Sequence, residues 1–216
     1  MNRDIISYYD DRAKEYEKVY SNPDEQEDLL TATDLFQKLF AAKTVLEIAC
    51  GTGYWTERIS KTAASIFATD INKSVVDIAM ARQVRDNVSF EVADMYNLTT
   101  DKKYEGLFAG FIWSHVLLQD LDRFLDKVKD FVVSDGAIVF IDSNPVESTI
   151  HDKKRIAKTD EAGNTYQLRK LENGTAHLVL KNFPTRDFLF EQLSLIATDI
   201  KHINLKNYWI VTCKLK

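Results

Sequence analysis

Apolar positions along this chain change their period repeatedly, and each change marks an element. Ile5, Tyr9, Ala13, Tyr16 and Tyr20 recur at helical spacing while Asp10, Asp11, Lys14, Glu15 and Glu17 fall mostly elsewhere, which predicts a first helix with a tyrosine stripe. That stripe must dock on something, either by simple packing or as a lid whose phenol hydroxyls face a wet pocket. Asn22-Pro23-Asp24-Glu25 supplies a second helix start, with a capping Asn, Pro at the first helical position and acidic residues at the positive dipole end. Leu29, Thr33, Phe36 and Phe40 give that helix its buried side.

From Val45 the pattern alternates. Val45 to Ala49 reads as a buried strand, broken at Gly51 and Gly53, and a helix follows from Tyr54 to Lys61. Ala64 to Thr69 is a second strand ending at Asp70. A helix from Lys73 has Val75, Val76, Ala79 and Met80 as its apolar side, and Val88 to Ala93 is a third strand ending at Asp94. A fourth strand spans Glu105 to Trp113, and a helix with Leu117, Leu118, Leu121, Phe124, Leu125, Val128, Phe131 and Val132 on one face leads through Asp135-Gly136 to a fifth strand, Ala137 to Asp142. Such alternation predicts an α/β fold: a Rossmann-like, doubly wound sheet of about seven strands, mostly parallel, with crossover helices.

Regularity lapses between Ser143 and Asn182, where Tyr166 to Leu171 and Ala176 to Leu180 flank Glu172-Asn173-Gly174, a strong hairpin signal. A helix from Pro184-Thr185 to Ile196 precedes strands Asp199 to Leu205 and Tyr208 to Leu215. Only Lys206 and Asn207 separate these two, so the final strand must turn back antiparallel. The expected organisation is one domain, 1–216, divided into a helical cap (1–43), a cofactor-binding core (44–142), an inserted hairpin (143–182) and a terminal helix with its strand pair (183–216).

Composition narrows the function classes. The chain has 216 residues, 45% hydrophobic and 28% charged, as in a soluble globular protein. No apolar run approaches the roughly 20 residues of a membrane span, and the N-terminus opens onto tyrosines and charges, so a cytoplasmic protein with no membrane partner is expected. A net charge of -5 offers no global attraction to phosphate backbones, which disfavours a nucleic-acid partner. Cys50 and Cys213 fall in predicted buried strands, have no metal-ligand spacing, and read as reduced core thiols. No metal site is expected.

The chemistry gathers at strand ends. Gly51 to Gly53, Asp70 and Asp94 stand at one position in three successive units, and ligands of open α/β sheets bind outside the carboxyl ends of the strands. A carboxylate after the second strand can accept from a ribose hydroxyl pair, and one after the third from an adenine amino group. A dinucleotide site is a poorer fit. Its Gly-x-Gly-x-x-Gly would need glycine at Thr56, nearby cations are few, and a long segment precedes the first strand.

These motifs together resemble the class I S-adenosylmethionine-dependent methyltransferases of small-molecule type. Val-Leu-Glu-Ile-Ala-Cys-Gly-Thr-Gly is similar to their first motif, Thr69 to Asn72 to their second, Glu91 to Met95 to their third, and Phe111 to Val116 to the segment after their fourth strand. The tyrosine-rich start also looks like their opening helix. The resemblance implies S-adenosylmethionine as cofactor and a small-molecule acceptor. It places Glu47 near the methionine ammonium, Ala49, Gly51, Thr52 and Gly53 along the methionine and ribose, and Asp70 on the ribose hydroxyls. Ile71 would flank adenine, Asp94 and Met95 would meet its amino edge, and Trp113 would close the pocket near the methyl group. Tyr54 departs from the third glycine that many members carry.

Methyl transfer from a sulfonium needs proximity, alignment and a base only where the acceptor remains protonated. His115, Tyr9 and Tyr16 are the candidates, with a structural role equally open to His115; His151, His177 and His202 read as surface or hairpin residues. Arg169 and Lys181 could bind an anionic substrate or merely pair across a solvated hairpin. A nicotinamide-dependent reductase and a non-catalytic adenosyl-binding module are the rival readings. A nucleic-acid methyltransferase would want an Asn-Pro-Pro-Tyr-type segment after the fourth strand, which is absent. The expected state is a monomer or homodimer.

Overall fold

The computed structural model describes residues 3–13, 15–145 and 156–216. Strands β1 (Thr44–Ile48), β2 (Ser65–Asp70), β3 (Val88–Val92), β4 (Tyr104–Gly110) and β5 (Val132–Ser143) pair in parallel, and β10 (Tyr208–Leu215) lies antiparallel between β5 and β9 (Ala197–Asn204). The sheet order is β3-β2-β1-β4-β5-β10-β9, the seven-stranded, mostly parallel arrangement expected. Strand order reverses between β1 and β4, which opens a crevice at their carboxyl ends.

The central strands are buried on both faces, as their continuous apolar runs require. Helix α5 (Leu121–Phe131) packs Phe124, Leu125 and Val128 against one face, with α6 (Arg186–Ser194) adding Leu189 and Leu193. Helix α2 (Gln26–Leu39) covers the other through Leu29, Ala32 and Phe36, together with Trp55 and Ile59 of α3 (Tyr54–Ile59). Between α5 and β5 there is no separate turn: the strand starts at Val132, and Asp135, at φ 63°, with Gly136 forms an irregularity inside it. Both cysteines are buried and unbridged.

Three expectations need correction. The tyrosine stripe does not ride one helix: α1 (Arg3–Arg12) ends, and a 3-10 turn carries Tyr16–Ser21, so that Tyr8 and Ile5 become the buried anchors at 2% exposure each. Met80 ends α4 (Lys73–Met80) 62% exposed, because the apolar side of this short helix is filled by Val75, Val76 and Ala79. Leu117 and Leu118 precede α5 in an irregular segment that the Leu118 amide, donating to Asn164 Oδ1 at 2.8 Å, ties to the insertion.

That insertion holds the expected hairpin, β7 (Thr165–Lys170) and β8 (Ala176–Leu180), plus an unexpected strand, β6 (Ile156–Thr159), pairing with β7 to make a three-stranded antiparallel sheet. Exposed throughout, β6 lacks the apolar alternation that would have betrayed it. His151 lies outside the described residues. Val179 and Leu180 pack with Ile5 and Tyr8 of α1, so cap and insertion form one roof over the carboxyl ends of the main sheet.

Candidate functional site

Beneath that roof two cavities adjoin. The first is lined by backbone and side chains from the ends of β1, β2 and β4 and from the cap, among them Ala49, Gly51, Asp70, Ile71, Met95, Tyr9 and Tyr16. The second lies under the insertion and is lined by Arg12, Gln167, Arg169, Lys181, Asn144 and Tyr208 among others. Tyr9, Tyr16, Phe111 and His115 border both, forming the wall where the two meet.

The turn after β1 takes its shape from backbone that few residues tolerate. Ala49 has φ 56°, Gly51 55° and Gly53 81°; non-glycine residues in this region are uncommon, and at ligand sites such strain is held by the surrounding structure. Phe111, just past the neighbouring β4, has φ 57°. Gly53 serves helix packing rather than the cavity, since an added Cβ would sit 3.0 Å from that of Ala79 and 3.2 Å from Arg82 Cδ.

Asp70 ends β2 and is buried, its Oδ2 accepting from the Gly51 amide at 3.0 Å and its Oδ1 from the Asn72 amide at 2.9 Å. Burial raises its pKa, opposed by those amides. Each oxygen retains a lone pair for a further donor. Glu47, 1% exposed within β1, is the more unusual group: burial pushes its pKa to about 8, and its Oε2 has no hydrogen-bond partner among the described residues. A buried carboxylate in this condition favours a cationic or donor ligand.

The structure separates the other expected residues. Ala49, Gly51, Asp70, Ile71 and Met95 line the first cavity beside Ala93 and Val75. Thr52 is 1% exposed, its hydroxyl bonded to Glu17 of the cap. Asp94 is bound to its own turn, Oδ1 accepting from the Tyr96 amide at 3.0 Å and Oδ2 from Asn97 Nδ2 at 3.1 Å. Trp113, 3% exposed, does not close the first cavity; it is packed among Phe124, Phe140 and Trp209, because β4 ends at Gly110 and a 3-10 turn swings its ring into the core.

His115 is held at both ring nitrogens. Nδ1 lies 2.5 Å from the Leu180 carbonyl, which can only accept, so Nδ1 carries the proton and Nε2 accepts from the Tyr9 hydroxyl at 2.7 Å. Burial and then the Lys181 charge lower the histidine pKa to about 3. Burial raises the pKa of Tyr9 and of Tyr16. Lys181 is committed elsewhere: its Nζ lies 2.6 Å from Asp142 Oδ1 and 2.7 Å from Ser114 Oγ, all buried. Despite burial, that lysine's charge and hydrogen bond keep the Asp142 carboxyl below the usual range.

Several residues here escaped the sequence reading. Arg12, three positions past Tyr9 and four before Tyr16, stands with its guanidinium over the rings of Tyr8 and Tyr16, at 5.7 and 5.5 Å; a lone cation at stripe spacing was the available signal. Gln167 alternates with Arg169 on the cavity side of β7. Tyr54 stacks face to face on Tyr20, centroids 3.6 Å apart, with Arg58 over its other side at 3.4 Å, so the residue that replaces a third glycine fastens the cap to α3. Arg82 completes the fastening by pairing with Glu17 and, at 2.8 Å, with Glu57.

The comparisons agree with this geometry. The family model described as a methyltransferase domain matches residues 45–136. Malonyl-[acyl-carrier protein] O-methyltransferase of Bacillus cereus is 34% identical over 104 residues, 46% of this chain and 37% of that protein. The Bacillus cytotoxicus protein of the same name is 31% identical over 144 residues, 65% and 47% of the two chains. The chain therefore spans less than half the length of these curated relatives. Among solved structures, a DhpI–SAH complex superposes with a TM-score of 0.80 at 25% identity, covering 98% of this chain and 95% of the other. A DhpI-SAM-HEP complex gives 0.77 at 24%, covering 99% of each.

Proposed function

We propose that this chain, which belongs to the class I S-adenosylmethionine-dependent methyltransferases, transfers a methyl group to a small-molecule acceptor by in-line displacement. The observation that carries the reading is the pair of cavities sharing one wall: a largely apolar cleft at the ends of β1 and β2 with Asp70 in its lining, and a cationic chamber beyond Tyr9 and His115. The residues fit the cofactor. Glu47, with an orphaned buried oxygen, suits an ammonium group, Asp70 suits a ribose hydroxyl pair, and Ile71, Val75, Ala93 and Met95 offer an apolar slot for a base. When bound, S-adenosylmethionine supplies a methyl group already attached to a good leaving group.

The protein's own contribution is alignment and exclusion of water. The strained backbone at Ala49 and Phe111 fixes the floor of the cleft, and the cap, clamped through Tyr54 and Arg82, closes it from above. Tyr9 and Tyr16 close the wall between the cavities. The whole of residues 1–216 is read as one working domain in the cytoplasm, with no nucleic-acid partner. Among the described residues no helix is long and apolar enough to cross a membrane. Calorimetric titration with S-adenosylhomocysteine, followed by an acceptor screen that reads release of that product, tests the reading. Binding of NAD with no response to S-adenosylhomocysteine would overturn it.

A further inference from the structure

We infer that the acceptor is a small oxyacid whose ionised oxygen is itself the nucleophile, so that the enzyme makes a methyl ester and uses no general base. The inference rests on the methyltransferase reading and adds the substrate class. It starts from the charges around the second cavity. Arg169 and Arg12 both line it, and among the described residues no carboxylate pairs with either. Arg169 donates from Nη2 to Gln167 Oε1 at 3.0 Å, while its buried Nε has no partner. An uncompensated guanidinium with a buried, unused donor is costly unless a ligand supplies the acceptor, and planar N–H groups suit an oxyanion.

Among the described residues around this cavity, the groups that could instead deprotonate a neutral acceptor are engaged. His115 gives its Nδ1 proton to the Leu180 carbonyl and spends its Nε2 lone pair on Tyr9. Asp142 accepts from Lys181, from the Ser114 amide at 3.0 Å and from the Ser143 amide at 2.7 Å. Glu25 accepts from Tyr208 and from Asn22 Nδ2, and borders the second cavity without reaching the wall shared with the first. Tyr9 and Tyr16, on that wall, keep their protons because burial disfavours the phenolate.

An acceptor that arrives ionised needs none of them. Its oxygen lone pair forms the new oxygen–carbon bond as the carbon–sulfur bond breaks with its pair passing to sulfur. The negative charge of the acid and the positive charge of the sulfonium cancel, and no proton is left over. Carboxylic and phosphonic acids share this chemistry, and the test distinguishes them.

The protein loaded with S-adenosylhomocysteine is titrated with acetate and with methylphosphonate. At least one should saturate, with affinity falling tenfold or more in Arg169→Gln and partly recovering in Arg169→Lys, while S-adenosylhomocysteine affinity stays as in the wild type. Product release from S-adenosylmethionine is then compared across carboxylic acids, phosphonic acids, and alcohols and amines of matched size. Turnover should be confined to acids and level with pH above the acid's own pKa. Saturation by neither anion, saturation indifferent to Arg169→Gln, or turnover confined to alcohols or amines would overturn the inference. Loss of S-adenosylhomocysteine binding in the wild type would instead remove the methyltransferase reading beneath it.

Discussion

Replacing Glu47 by Gln separates what this residue costs the fold from what it gives the ligand. The carboxyl is 1% exposed and its pKa rises from the ordinary 4.5 to about 8. At about 1.4 kcal/mol per pKa unit, the raised pKa of Glu47 costs the empty protein roughly 5 kcal/mol above pH 8, where the group is ionised, and roughly 3 kcal/mol at pH 7, where folding must take up a proton, both upper values because relaxation reduces them. The sign follows from proton binding: between 4.5 and about 8 the native state holds the proton that the unfolded chain has lost. Stability is therefore full below 4.5 and declines as pH rises through 8. Glu47→Gln, nearly isosteric and never charged, should be more stable than wild type at pH 8 and equal to it at pH 4.5, read by urea denaturation across that range. In the same variant S-adenosylhomocysteine affinity should drop at least tenfold. A stability difference that does not grow with pH would refute the reasoning, as would undiminished affinity.

Other perturbations test neighbouring parts of the structure. Asp70→Ala should weaken S-adenosylhomocysteine binding by roughly 1–3 kcal/mol, the usual penalty for leaving polar groups unpaired, measured by calorimetry. Tyr54→Gly restores the glycine common in related turns but removes the stack on Tyr20, so it should destabilise by roughly 2–4 kcal/mol, with hydrogen exchange quickening in residues 16–21. Lys181→Met strands the buried Asp142 charge and should cost roughly 3–5 kcal/mol in chemical denaturation.

Much of the core was legible because its strands are short apolar runs bounded by Gly, Asp or Asn, and the crossover spacing left few arrangements for them. The ends of β1 and β2 were readable for the same reason: Gly51 and Asp70 sit where strand geometry alone directs them to one crevice. What failed was local to irregular backbone. Trp113 follows β4 by three residues, and only the 3-10 turn there decides that its ring enters the core. Asp94 lies at the expected strand end, and the loop there sets its orientation: Oδ1 accepts from the Tyr96 amide in an Asx turn and Oδ2 from Asn97, each oxygen keeping a lone pair as at Asp70. Lys181 looked like a hairpin cation, and its partner Asp142 comes from a strand distant in sequence. Tyr54 needed Tyr20 beside it before its replacement of glycine had a physical explanation.

The central claim, that the cleft at the ends of β1 and β2 takes the cofactor's methionine and adenosine parts, is tested most directly by titrating S-adenosylhomocysteine at pH 7 in buffers of different ionisation enthalpy. Saturable one-to-one binding is expected, with release of close to one proton as the ammonium group draws Glu47 into its ionised form. No binding, or binding with no proton released, would contradict that claim.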